Sequence, residues 1–219
     1  MALLLLGNVP YGNYVLYPFA LFGTWIHEGC HALAALAFGG RVDHIEVFAD
    51  TSGLAWTATG SRLARAGVAS AGYVGTAVGG ALLLIFRRRP LAGRVGLVLI
   101  GALMLASVLF WVRNAFGLVS VGAIGAALLV AGLRLPTDAA RWLYTFLAAA
   151  TSLNAISSIR TLFGAVHIVN GQEAGSTDAR TVGELLLLPW WVWASGWMLL
   201  ALVCTAGGLR FAVKGPEDD

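Results

Sequence analysis

Six stretches of this chain, near residues 14–38, 66–86, 95–112, 116–133, 142–163 and 185–206, are almost free of charge and bounded by charged or turn-forming residues. At 1.5 Å per residue such runs approach or exceed the roughly 20 residues that a helix needs to cross a hydrocarbon layer about 30 Å thick. The composition agrees, with 58% hydrophobic residues and only 11% charged ones. A soluble domain carries about 25% charged residues, and this chain has too few to cover a soluble surface. The expected fold is therefore an all-α polytopic membrane protein with about six transmembrane helices, forming a single domain over residues 1–214, with a polar tail at 215–219 expected to be disordered.

Basic residues act here as topology signals. If all six spans are real, Arg87-Arg88-Arg89 with Arg94, Arg134 with Arg141, and Arg210 with Lys214 share one side. By the positive-inside rule that side is cytoplasmic and holds both termini, and residues 39–65 and 164–184 share the other side with Arg41, Arg62, Arg113 and Arg180. A net charge of +3 without a broad basic patch excludes a nucleic-acid partner, and the lipid bilayer is the expected surrounding. Cys30 and Cys204 both lie in apolar segments, which argues against a disulfide framework. Ala2 to Leu6 is apolar, but it has no preceding Lys or Arg and is cut short by Pro10-Tyr11-Gly12-Asn13, so no cleavable signal peptide is expected.

Residues 39–60 are too polar to span. Val42, Ile45 and Val47 precede Asp50-Thr51-Ser52-Gly53, and Leu54 and Trp56 follow it, a pattern expected of a short membrane-associated β-hairpin. In the second span Gly72, Thr76 and Gly80 recur at spacing four beside Gly75 and Gly79, which favours close helix packing. Pro189-Trp190-Trp191-Val192-Trp193 and Trp197 resemble an interfacial belt or core packing at one end of the last span.

Within the first span stands His27-Glu28-Gly29-Cys30-His31. Residues four apart share one helix face, so both imidazoles can meet one ion, with the Glu28 carboxylate about 100° away. Zinc suits imidazole ligands, and a catalytic site commonly takes three protein ligands and activates a water, for which Glu28 is the natural general base. Ionisable groups near the middle of an apolar span cost about 2.5 kcal/mol or more each and persist mainly where they face a cavity or bind something. Cys30 lies off the two-histidine face and reads as packing. The third ligand must come from elsewhere, and Asp178, Glu173, Glu184, Asp43, His44, Asp50 and His167 are the candidates. Asp178 lies on the side reached by the end of the motif helix. In the fifth span Thr151, Asn154, Ser158 and Thr161 form a polar stripe, read as interhelical hydrogen bonding, with Asn154 able to hold a substrate carbonyl or oxyanion.

Taken in order, His27-Glu28-Gly29-Cys30-His31-Ala32-Leu33-Ala34, Gly39-Gly40-Arg41-Val42, Ser52-Gly53, Ala71-Gly72-Tyr73-Val74-Gly75, Asn154, Ser176-Thr177-Asp178-Ala179 and Leu188-Pro189-Trp190-Trp191-Val192-Trp193 resemble the site-2 protease family of intramembrane zinc metallopeptidases, in its compact bacterial branch. The resemblance covers most of the chain. It implies one Zn²⁺ held by His27, His31 and Asp178, Glu28 as catalytic base, a membrane-protein or peptide substrate, and a bacterial plasma membrane location. The chain departs from the family in lacking the Asp-Gly pair, since Ala179 follows Asp178, and in lacking a Pro after Asn154. The family also usually turns its zinc toward the cytosol, opposite to the charge count above. Two other readings remain at this stage: a non-proteolytic membrane protein keeping a metal site for structure, sensing or transport, and a protease of the prenyl-protein type with glutamate as third ligand. Substrate and oligomeric state stay open.

Overall fold

The computed structural model describes residues 12–88, 91–163, 168–173 and 175–213, and these are mostly helical. Helix α1 (Gly12–Ala37) leads into a hairpin of β1 (Arg41–Val47) and β2 (Gly53–Ala58). Helices α2 (Arg62–Phe86), α3 (Ala92–Phe110), α4 (Ala115–Arg134) and α5 (Thr137–Ser158) follow. A 3-10 turn (Ile159–Phe163) and a small second hairpin, β3 (Ile168–Val169) with β4 (Gln172–Glu173), precede α6 (Asp178–Leu186) and α7 (Trp190–Val213). Residues 1–11, the tail at 215–219 and Lys214 lie outside the described residues.

Four helices, α2, α3, α4 and α7, are both long and apolar enough to cross a membrane. Of the six expected spans, those at α1 and α5 have the length, 26 and 22 residues, without that apolarity. The reason lies in their residues. Helix α1 carries the His-Glu-His motif, and α5 carries Asp138, Arg141 and the Thr-Ser-Asn stripe.

Two boundaries differ from the sequence pattern. The last apolar run breaks at Leu187, which adopts the left-handed conformation (φ 61°) and ends α6; Pro189 then lets α7 begin only at Trp190 and run on to Val213. The run from 142 to 163 begins earlier, at Thr137 after Pro136, and tightens into a 3-10 turn past Ser158.

The hairpin follows α1 without slack. Phe38 and Gly40 donate their backbone N–H groups to the carbonyls of Ala34 and Ala35 (3.0 and 2.8 Å), and Gly39 takes φ 70°, a left-handed turn that glycine adopts without penalty. Tyr17 and Thr24, two turns apart on α1, donate hydroxyls to the Ala49 and Thr51 carbonyls (2.6 and 2.5 Å), so the tip lies on α1 as well. The outer edge of β1 is taken up by the α3–α4 corner. Ile45 N–H donates to the Trp111 carbonyl (2.8 Å), Arg113 N–H to the Ile45 carbonyl (3.1 Å), and the Asn114 amide bonds both the N–H and the carbonyl of Val47. Among the described residues no strand pairs with the other side of β2, which leaves that side a free edge.

Helix α2 is the hub, packing against α1, α5, α6 and α7. Its small residues permit this. Gly75 faces Cys30 of α1, Gly80 meets the backbone of Ser152 in α5, and Ala81 meets Gly208 of α7. Helices α3 and α4 pair through Gly101 and Gly125. Arg94 caps the end of α4 through the Gly132 and Leu133 carbonyls, and Arg113 caps α3 through those of Phe110 and Val112. These cations thus close helix ends in addition to any role in topology. The Thr151 hydroxyl, expected to bond across helices, instead returns to the Leu147 carbonyl of its own helix (2.8 Å), as Ser152 does to Ala148. The side chain of Thr161 lies outside the described residues.

Candidate metal centre

His27 and His31 stand one turn apart on α1 with ring centroids 4.7 Å apart. Asp178, the first residue of α6, reaches them from across the bundle: its Oδ2 is 3.6 Å from His27 Nε2 and 3.5 Å from His31 Nε2. The three donor atoms lie within 4.8 Å of one another. Two ligands about 2.0–2.1 Å from a tetrahedral zinc lie roughly 3.3–3.4 Å apart, so the two His–Asp spacings match one ion held between them. Two neutral imidazoles and a carboxylate are also the donor types that zinc takes. His31 Nδ1 lies 2.6 Å from the Val68 carbonyl of α2, which can only accept. The proton therefore sits on Nδ1, leaving the Nε2 lone pair free for a metal.

The surrounding elements hold this geometry. Asp178 is positioned because α6 buries Ala179 and Val182 against α2, while Arg62 of α2 donates to the Leu185 carbonyl (2.9 Å) at the far end of α6. Tyr73 of α2 meets His27 edge-on at 4.5 Å and is itself stacked on Trp197 of α7 at 5.3 Å. Trp197 is thus core, and of the tryptophans at that end Trp191 is the exposed one, while Trp190 carries Arg180 over its ring at 5.0 Å.

Gly72 lies directly beneath the two histidines, where a Cβ would run into both Nε2 atoms. Among the α2 glycines whose spacing suggested helix packing, this one bears on the site. Gly72→Ala is expected to cut metal binding by the His27–His31–Asp178 group by at least about tenfold, the lower range for disturbing a ligand's support, whereas Gly79→Ala, which meets nothing within 4 Å, leaves it unchanged. Metal analysis of the purified variants checks this, and equal occupancy in both would show that Gly72 does not support the site.

Glu28 is buried (6% exposed) beside the motif histidines. A Cβ at Gly53 would come 2.7 Å from Glu28 Cγ and 2.6 Å from Thr24 Cγ2, so only a glycine lets β2 begin this close to the carboxylate. Two cavities meet at His27 and Glu28. The inner one, about 520 Å³, is lined by Thr24, Tyr73, Thr76, Asn154, Ser157 and the hairpin tip. The outer one, a groove of about 470 Å³, runs along β2 past His31, Arg65 and Asp178. Asn154 approaches α1 at Gly23 and reaches the inner cavity, and its side chain makes no hydrogen bond to the described residues.

The other described third-ligand candidates lie away from the two histidines. His44 pairs with Asp43 (2.7 Å) and stacks on Trp56 on the exposed hairpin face. Asp50 accepts from the Ser52 N–H and hydroxyl at the hairpin tip; slight burial raises its pKa, but these bonds and that of Gly171 lower it below the ordinary value. Glu173 and Glu184 are exposed, and His167 lies outside the described residues. The Val68 carbonyl and the Tyr73–Trp197 stack were not legible as site features, since a backbone oxygen and an aromatic pair joined across 124 positions leave no spacing signal.

A family model described as Peptidase M50B-like matches residues 1–208. No curated protein and no solved structure matches the chain.

Proposed function

The chain belongs to the Peptidase M50B-like family, a site-2 protease family, and from that premise we propose that it is an intramembrane zinc metallopeptidase that hydrolyses peptide bonds of membrane-associated substrates. Four apolar helices together with this family mark a multi-pass membrane protein. In this reading α1 and α5 also span, their polar residues turned toward the site and its cavities, and the membrane is the bacterial plasma membrane. The observation that carries the proposal is the convergence of His27, His31 and Asp178, with the buried Glu28 beside them where the two cavities meet.

His27, His31 and Asp178 would hold the ion. Bound there, zinc supplies Lewis acidity toward the attacking water and the scissile carbonyl. Glu28 takes the proton of that water as it attacks the carbonyl carbon and delivers it to the leaving amine nitrogen. The Asn154 amide, which makes no hydrogen bond to a described residue, donates to the carbonyl oxygen as charge develops on it. A helical peptide bond is shielded by its own hydrogen bonds, so the substrate must unwind before attack. The free edge of β2, which starts against Glu28 and runs along the outer groove, offers the unwound segment backbone partners.

The test is direct. Purified protein in bilayers should cleave a panel of single-span membrane substrates, lose the activity to a chelator, and recover it with zinc. Metal-loaded protein that cleaves none of the panel would overturn the proposal.

A further inference from the structure

We infer that Arg65 is a specificity-determining residue that selects substrates with an acidic side chain about three residues N-terminal to the scissile bond. The inference rests on the peptidase reading above and deepens it.

Arg65 is the only Lys or Arg among the described residues lining the outer groove. Four other arginines are engaged by their own fold, Arg62 with the α6 carbonyls, Arg94 and Arg113 with helix ends and Arg180 over the Trp190 ring, and none of these four lines the groove. The Arg65 guanidinium is exposed and makes no hydrogen bond or ion pair with a described residue. It is an uncommitted cation with five donors, arranged to take a carboxylate in bidentate fashion.

Its distance from the chemistry sets the subsite. Arg65, Ala69, Gly72 and Thr76 recur at helical spacing on one face of α2; Ala69 lines the groove, Gly72 lies beneath the histidines, and Thr76 lines the inner cavity. From Arg65 to Gly72 is seven residues, about 10 Å along the helix axis. An extended chain covers that in about three residues at 3.3–3.4 Å each.

The edge strand sets the direction. β2 starts at Gly53, against Glu28, and runs toward Thr57, Ala58 and Thr59, which line the groove together with Arg65. A guest strand pairing antiparallel, the slightly more stable arrangement, therefore lays its N-terminal part toward Arg65 and its reacting bond toward Glu28.

The experiment uses the full chain in detergent and an internally quenched peptide library of one common sequence, with Glu, Gln or Lys placed singly at each of five positions on either side of the cleaved bond, sites being read by mass spectrometry. The wild type is expected to cleave the Glu peptide roughly three- to tenfold faster than its Gln counterpart when the acid stands near the third position on the N-terminal side. Arg65→Gln brings that ratio to about one, Arg65→Lys keeps part of it, and Arg65→Glu reverses it in favour of Lys, which a purely structural role would not do. Equal wild-type rates for Glu, Gln and Lys at every position, or a preference that survives Arg65→Gln, would overturn the assignment. A preference confined to the C-terminal side would overturn the antiparallel placement on which it depends. Wild-type protein that cleaves no library member and no membrane substrate would instead overturn the peptidase reading, and the assignment with it.

Discussion

Glu28→Gln is expected to lower substrate turnover by about 10²- to 10⁴-fold, the range that a positioned general base supplies, while zinc content stays at the wild-type level. Gln has the same shape, so it fits the space between Thr24 and the start of β2 where the carboxylate now lies. It keeps a carbonyl acceptor and loses the ability to take a proton. Glu28 does not belong to the group of donor atoms formed by His27, His31 and Asp178, so its replacement removes no ligand. Turnover of a single-span substrate and metal analysis on the same preparation are the paired measurements. Retained proteolysis would remove Glu28 from the mechanism. Loss of metal together with activity would mean that the carboxylate is a ligand.

The second large effect concerns Asp178. Asp178→Ala is expected to reduce zinc affinity by more than the roughly 10- to 100-fold that partners outside the coordination shell are worth, and to abolish turnover with it. Glu173→Ala and Glu184→Ala are expected to leave both near wild type, since each of these carboxylates is exposed and neither belongs to the donor cluster. Asp178 enters through α6, a nine-residue helix held by its apolar contacts with α2 and by Arg62 at its far end. Its replacement should spare the fold, because Ala is a good helix former and no described backbone group depends on the Asp178 carboxylate. Titration with a chromophoric zinc chelator reads the affinities. Zinc retained in Asp178→Ala but lost in either Glu variant would transfer the third-ligand role to that glutamate, the arrangement of the prenyl-protein type of protease.

Much of the molecule was readable along the chain because the signals are local. The alternating residues around Asp50-Thr51-Ser52-Gly53 suggested a hairpin, and β1 and β2 pair there, with Gly53 already the first residue of β2. The family resemblance, carried by short motifs in order, agrees with the family model that covers residues 1–208. Less readable were the ends of the apolar runs. Apolarity continues through Leu185 to Leu188, but Leu187 takes the left-handed conformation, so the start of the apparent span belongs to the end of α6 and the rest to α7. The small-residue stripe of α2 was ambiguous for a related reason. One spacing serves a helix contact at Gly80 and a floor beneath two histidines at Gly72, and only the neighbouring elements distinguish them.

The sequence by itself determined that this chain has the length and apolarity of a membrane protein, and that two imidazoles and a carboxylate share one turn of one helix. Both follow from composition and from the 3.6-residue period, which need no partner element. Only the tertiary structure decided which of seven distant candidates stands opposite the histidines, which edge of the hairpin is free, and which arginine is left uncommitted beside it. Each of these depends on segments far apart in the chain meeting across the bundle, and such meetings are set by side-chain packing and backbone hydrogen bonds between elements, for which no spacing within one segment is a guide.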